Sequence, residues 1–236
     1  AMKLSVRQQV CLIHCGEAVE QWKVLHERLR RVKYLTDAQI TSDILSGASA
    51  VLVDEAHLLS QEKLEYLLRY CGNRPVIFSS DYENMLSPEE LDRAAVHALE
   101  QISGIQSFRL TNRIRTNAEI SSFIQNMMCL PERKKGRHFP HVTVLYANDD
   151  READVLLSDA QHQGYQVILN EAEPAICAGR LAMVLDQRYF YDRQNYLRSD
   201  DRSVRRLFHQ LNGAKEELLL VVKQNEPLYA VLLDLL

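Results

Sequence analysis

The string Ala50-Val-Leu-Val-Asp-Glu-Ala-His57 holds the residues best placed to do chemistry. Its apolar, β-branched start is too short for a helix and reads as a buried parallel strand ending in two carboxylates. Open α/β sheets bind ligands outside the carboxyl ends of their strands, which is where Asp54 and Glu55 would stand. In nucleotide hydrolases with a phosphate loop, an Asp at this place holds the Mg²⁺ hydration shell and the next Glu orients the attacking water. Acidic pairs also follow strands with no catalytic role, so the flanking motifs must discriminate. A further strand, Pro75–Ser79, runs into Ser80 and Asp81, and Arg113 and Arg115 sit just before a capped helix. Taken alone, that pair of arginines reads as a solvated basic turn; beside the Asp54-Glu55 strand it reads as part of a site.

The elements that must position these residues alternate. Residues 8–15 read as a buried strand, and Glu17–Val32 as a helix with Val19, Trp22, Leu25, Leu29 and Val32 at helical spacing. After the Ala50–Asp54 strand, Ser60 caps a helix that Gly72 ends. Ser87-Pro-Glu-Glu90 is a capping box with proline at the first helical position, opening a helix to about Ser103. A strand over Ser107–Leu110 follows, then a second capping box, Thr116–Glu119, and a helix to about Leu130. The proline-bounded basic segment Pro131–Pro140 is the best linker candidate. Beyond it come strand Val142–Tyr146, helix Asp149–Gln163, strands Gln166–Leu169 and Leu181–Asp186, helix Ser203–Leu211, strand Leu218–Val222 and helix Glu226–Leu236. Such alternation means βαβ units and parallel sheets. The expected organisation is an α/β fold with a first lobe over 1–132, a linker over 133–141 and a second lobe over 142–236.

Composition narrows the partners. With 236 residues, 46% hydrophobic and 25% charged, the chain is an ordinary globular one, not a disordered or disulfide-built one. Its net charge of −4 provides no overall basic field for nucleic acid or membrane. No apolar run is long enough to span a bilayer, and the first residues carry no secretory signal. Ala1 ahead of Met2 reads as an added residue, so Met2 is either a native start or a cut within a longer protein. Five scattered cysteines form no zinc spacing; buried free thiols in a cytoplasmic protein are the expectation.

Taken in order, these strings resemble a known module. Leu58-Leu59 after the Asp-Glu-Ala-His box, Ser80-Asp81 at the next strand end, and Leu110-Thr-x-x-Ile-Arg-Thr-Asn-x-Glu-Ile120 look like the ATPase core of superfamily 1. The likeness is to the Schlafen group 3-like DNA/RNA helicase domain family. Val10–Gly16, Met183–Asp192 and the closing Leu218-Leu-Leu-Val-Val-Lys-x-Asn-x-x-Leu-Tyr229 are similar to its segments too. The resemblance implies two RecA-like lobes. It implies roles for Asp54 (Mg²⁺), Glu55 and Arg115 in hydrolysis, and for Ser80, Asp81 and Arg113 in coupling nucleotide to nucleic acid.

The departures carry more weight. All eight glycines are isolated and no Gly-Lys-Ser/Thr occurs, so no amide cradle or lysine grips the phosphates. Ala175-Ile-Cys-Ala-Gly179 stands where the family carries a Gly-Gln-Glu-Phe-Asp-like motif, and Gly213 stands where its finger arginine would be. Such an arginine is worth roughly 10³–10⁵ in rate, and Lys215 lacks its planar fork. The expectation is therefore a degenerate, helicase-like binding or regulatory module with no cofactor of its own. Its partner would be a protein or a single-stranded nucleic acid, with no membrane. The alternative is a C-terminal fragment of a nucleic-acid-dependent ATPase that uses Mg-ATP. The basic stretches Arg28–Lys33 and Arg133–His138 read as solvated surface, and Tyr189, Phe190 and Tyr191 as packing rather than base-stacking residues.

Overall fold

The computed structural model describes residues 8–16, 24, 27–80, 86–87, 106, 108, 117–132, 138–169, 176–200 and 204–236. Two compact units divide the chain, Ala1–Phe108 and Arg109–Leu236.

The first unit is built on a parallel four-stranded sheet in the order β2-β1-β3-β4, with β1 Val10–His14, β2 Val32–Thr36, β3 Ala50–Asp54 and β4 Val76–Phe78. β1 is buried along its whole length, which is why it reads as a continuous apolar run without alternation. Cys11 and Ile13 face one core with Leu35, Val51, Val53, Leu64 and Leu67; Val10 and Leu12 face another with Val32. Two helices join the first of these cores: α1 Ser42–Gly47 through Leu45, and α2 Gln61–Cys71 through Leu64, Leu67 and Cys71. Ser60 caps α2, its hydroxyl accepting from the Lys63 amide at 3.3 Å, and Gly72 closes it, as expected.

The second unit carries helix α3 Ala118–Met128 and a parallel sheet in the order β5-β10-β7-β6. Its strands are β5 Val142–Ala147, β6 Gln166–Ile168, β7 Ala178–Leu185 and β10 Ala214–Lys223. A separate antiparallel hairpin joins β8 Tyr189–Tyr191 to β9 Leu197–Ser199. Helix α4 Asp150–His162 presses Ala153, Leu157 and Ala160 against Leu219 and Val221 of the sheet. Helices α3, α5 Val204–Leu211 and α6 Glu226–Leu235 also pack against β10. Among the described residues no helix is long and apolar enough to cross a membrane.

Several elements depart from the sequence expectation. Val32 opens β2 instead of closing a helix: a turn at Arg30-Arg31 separates it from the helical residues Glu27 and Arg28. Its spacing matched a helical stripe, but Val-Lys-Tyr-Leu-Thr is a β-branched and aromatic run, and it pairs with β1. α1 and the β8–β9 hairpin were not foreseen. Asn117, not Thr116, caps α3, its side chain accepting from the Glu119 amide at 2.8 Å. α3 belongs to the second unit, so the division falls at Phe108–Arg109 and not at 133–141. Its burial explains the difference: Ile120, Phe123, Ile124, Met127 and Met128 are all buried, and it packs on α5, α6 and β10. The helix expected from Ser87 to about Ser103, and the strand expected over Ser107–Leu110, lie outside the described residues apart from Ser87 and Phe108.

Asn225 ties the end of the second sheet together. Its amide donates to the carbonyls of Asp186 at 2.9 Å and Tyr189 at 2.7 Å, while its side-chain oxygen accepts from the Leu228 amide at 3.2 Å and so caps α6. Asn225→Ala removes the cap and strips both carbonyls of a buried donor. A loss of about 2–3 kcal/mol in urea unfolding is expected.

Candidate functional site

Parallel pairing in register sets His14 at the end of β1 directly opposite Asp54 at the end of β3. Ser79 arrives beside them just past β4, whose register with β3 ends at Val53 opposite Phe78. Asp54 is the centre of this group. Its Oδ2 lies 3.0 Å from His14 Nδ1, and its Oδ1 accepts from the Ser79 hydroxyl at 2.8 Å. The backbone is stitched at the same level: the Cys15 amide donates to the Asp54 carbonyl at 3.0 Å, and the Ala56 amide to the Ser79 carbonyl at 2.8 Å. The Asp54-Glu55 pair therefore stands where the sequence pattern put it, at the carboxyl end of a buried strand.

Glu55 sits in the left-handed region, with φ 55° and ψ 41°. For a non-glycine residue this costs on the order of 1–3 kcal/mol, and it persists only where the surroundings enforce it. Here the Ala56–Ser79 and Leu58–Glu55 backbone bonds enforce it. The turn sends Ala56 and His57 straight into the core, where both are fully buried. Glu55 follows: its Oε2 lies 3.4 Å from the buried His57 Nε2. Gly16, with φ +93°, takes the corresponding bend after β1 and meets Leu58 closely enough that a Cβ would lie 3.0 Å from its Cδ1.

The electrostatics favour a charged, held carboxylate. Burial alone would push the Asp54 carboxyl up. Hydrogen bonds from His14 and Ser79, the charge of His14 and a backbone bond from Glu55 outweigh it and hold the group below the usual carboxylate range. The neighbouring Cys15 thiol is pushed up to about 12 by burial first, then by Asp37 and Asp54, so it is no nucleophile. The wiring also excludes a serine hydrolase. There the imidazole stands between hydroxyl and carboxylate, whereas here the carboxylate stands between hydroxyl and imidazole.

A Mg²⁺–nucleotide does not fit this group well. Both Asp54 oxygens already accept or face protein groups, and no Gly-Lys-Ser/Thr string occurs in the 236 residues. Among the described residues no cluster of His, Cys, Asp and Glu could hold a metal ion.

Of the other expected site residues, Ser80 alone is among the described residues. It is exposed; its neighbour Ser79 makes the contact to Asp54 instead. Asp81, Arg113 and Arg115 lie outside the described residues. His14 and Ser79 were missed, though a signal existed: two adjacent parallel strands that end level place their last side chains side by side. In the second unit, a Cβ on Gly213 would lie 1.9 Å from the Ile176 carbonyl oxygen and 2.9 Å from that of Gln210. The Gly213 carbonyl itself accepts from the Ala178 amide at 3.0 Å. No side chain of any kind can stand there without moving the backbone. Lys215 is exposed on β10. Tyr189 is buried, and the Tyr191 hydroxyl donates to the Met127 carbonyl at 2.8 Å; only Phe190 is exposed, as packing residues would have it. Four of the five cysteines are buried thiols, and Cys177 is exposed.

The chain matches no family model and no curated protein.

Two outcomes follow from this geometry. Because the folded carboxyl of Asp54 lies below its ordinary 3.8, the stability it contributes is complete above that pH and is lost as pH falls through the depressed value. The stability difference between the native chain and Asp54→Asn, measured by urea unfolding, should thus be flat just above pH 3.8 and shrink below it. Gly213→Ala should destabilise the second unit by about 3 kcal/mol, the upper end for overpacking, because the obstacle is a backbone carbonyl.

Proposed function

We propose that this chain is a degenerate superfamily 1 helicase-like protein that no longer hydrolyses ATP and acts as a binding or regulatory module for a protein or nucleic-acid partner. In this reading both units descend from RecA-like lobes. The observation that carries it is the fate of the acid pair. Asp54 is held between His14 and Ser79, and Glu55 lies against the buried His57, so both acids serve an internal network. Two further observations support it: no Gly-Lys-Ser/Thr string occurs in the 236 residues, and the backbone leaves no room for a side chain at Gly213. Asp54, Glu55 and Arg115 are then vestiges, and Ser80, Asp81 and Arg113 have no nucleotide to sense.

Calorimetry with Mg-ATP tests the proposal. The expected outcome is no saturable heat and no phosphate release; micromolar binding with turnover by this chain overturns it.

A second reading is a C-terminal fragment of a nucleic-acid-dependent ATPase whose phosphate loop lies on residues upstream of this chain. The strained, left-handed Glu55 favours it, since such strain gathers at catalytic sites. In a form that carries such a loop, Glu55→Gln should abolish hydrolysis; unchanged turnover removes this alternative.

A further inference from the structure

The second unit holds a cavity of about 180 Å³ at the carboxyl ends of β6, β7 and β10, closed on one side by the first turns of α4. The Asp54 group belongs to the other unit, and the cavity stands whether or not the chain hydrolyses nucleotide. Leu157, Ile168 and Met183 supply apolar wall, and Leu169, 77% exposed, stands at the rim.

The remaining lining is charged, and its pairing is uneven. Lys223 Nζ binds Asp150 Oδ1 at 2.5 Å. The Arg188 Nε donates to both oxygens of Asp186 at 3.0 Å. Those bonds use the two cations of the cavity on two of its three acids. Asp154, one helical turn beyond Asp150 on α4, is exposed and has no ion pair among the described residues. The cavity thus has an apolar wall and one uncompensated negative charge at its mouth.

Size decides what could fill it. Small-molecule sites run to about 300–1,000 Å³, so this volume suits one side chain better than a whole metabolite. The occupant must offer an apolar stem and a cationic head, which is how lysine and arginine side chains lie along apolar surface. Arginine is the better match, because its guanidinium is less strongly hydrated and binds a carboxylate through two parallel bonds. We infer that this cavity is a socket for an arginine side chain presented by a protein partner, with its stem against Leu157, Ile168 and Leu169 and its guanidinium on Asp154.

The test is an amide chemical-shift titration of the full chain with Nα-acetyl-arginine methylamide. The matched lysine and norleucine compounds serve as controls. The inference expects saturable shifts at Asp154, Leu169 and Lys223, with weaker binding of both controls. Asp154→Asn, an exposed change that leaves the packing intact, should weaken arginine binding about threefold to fivefold and erase its advantage over norleucine. The absence of saturable shifts at these amides overturns the inference, as does equal binding of norleucine or an unaltered response of Asp154→Asn. Lysine binding as tightly as arginine overturns the choice of guanidinium. If the same amides shift with protein concentration alone, the socket is filled by a second copy and the separate partner is overturned.

Discussion

The in-register pairing of β1 with β3 is the constraint on which the first unit rests. It aligns five residue pairs, from Val10 with Ala50 to His14 with Asp54. The apolar pairs build the core on both faces of the sheet, and the last pair is polar and sits at its edge. A slip of one residue would turn every side chain of β1 to the opposite face. Cys11 and Ile13 would leave their core, and His14 would leave Asp54. The hydrophobic pattern that selects the register therefore also selects the polar contact, without any additional device.

The same strands explain why the acid pair can be held so deeply. A half-buried carboxylate is tolerated where hydrogen bonds replace its water. Asp54 obtains those from neighbours on either side, one from each adjacent strand end. Glu55 obtains its environment differently, by a left-handed turn that directs it back towards the core. In the second unit β10 takes the central role. Its Leu218–Val222 segment is buried without a break, and the sheet is covered by helices packed against that strand.

Much of this was legible in the residues. Unbroken apolar runs identified β1, β3 and β10, and the Ser60 cap identified α2. Asp54 and Glu55 were found because the carboxyl end of a buried parallel strand is where open α/β sheets bind ligands. What was missed shares a physical origin. β2 was hidden because Val32 continued a helical spacing by coincidence, and only its pairing with β1 decides its state. The β8–β9 hairpin depends on an Asp192 side chain that accepts from the Gln194 and Tyr196 amides, a turn chemistry that no hydrophobic period announces. His14 and Ser79 belong to Asp54 only through strand order, which a one-dimensional pattern does not hold. The home of α3 is likewise a matter of packing: a helix buried on most of its sides is claimed by whichever core encloses it.

Gly213 has a meaning for how this chain can change. A glycine is ordinarily one substitution away from a side chain. At this position the Ile176 carbonyl fills the space a Cβ would need, so any side chain must wait for a prior retreat of the Ile176–Ala178 backbone. Two steps are then required in a set order, and the first alone would break the bond that seats β7. Glycine at this position is thus latched in place by the fold itself.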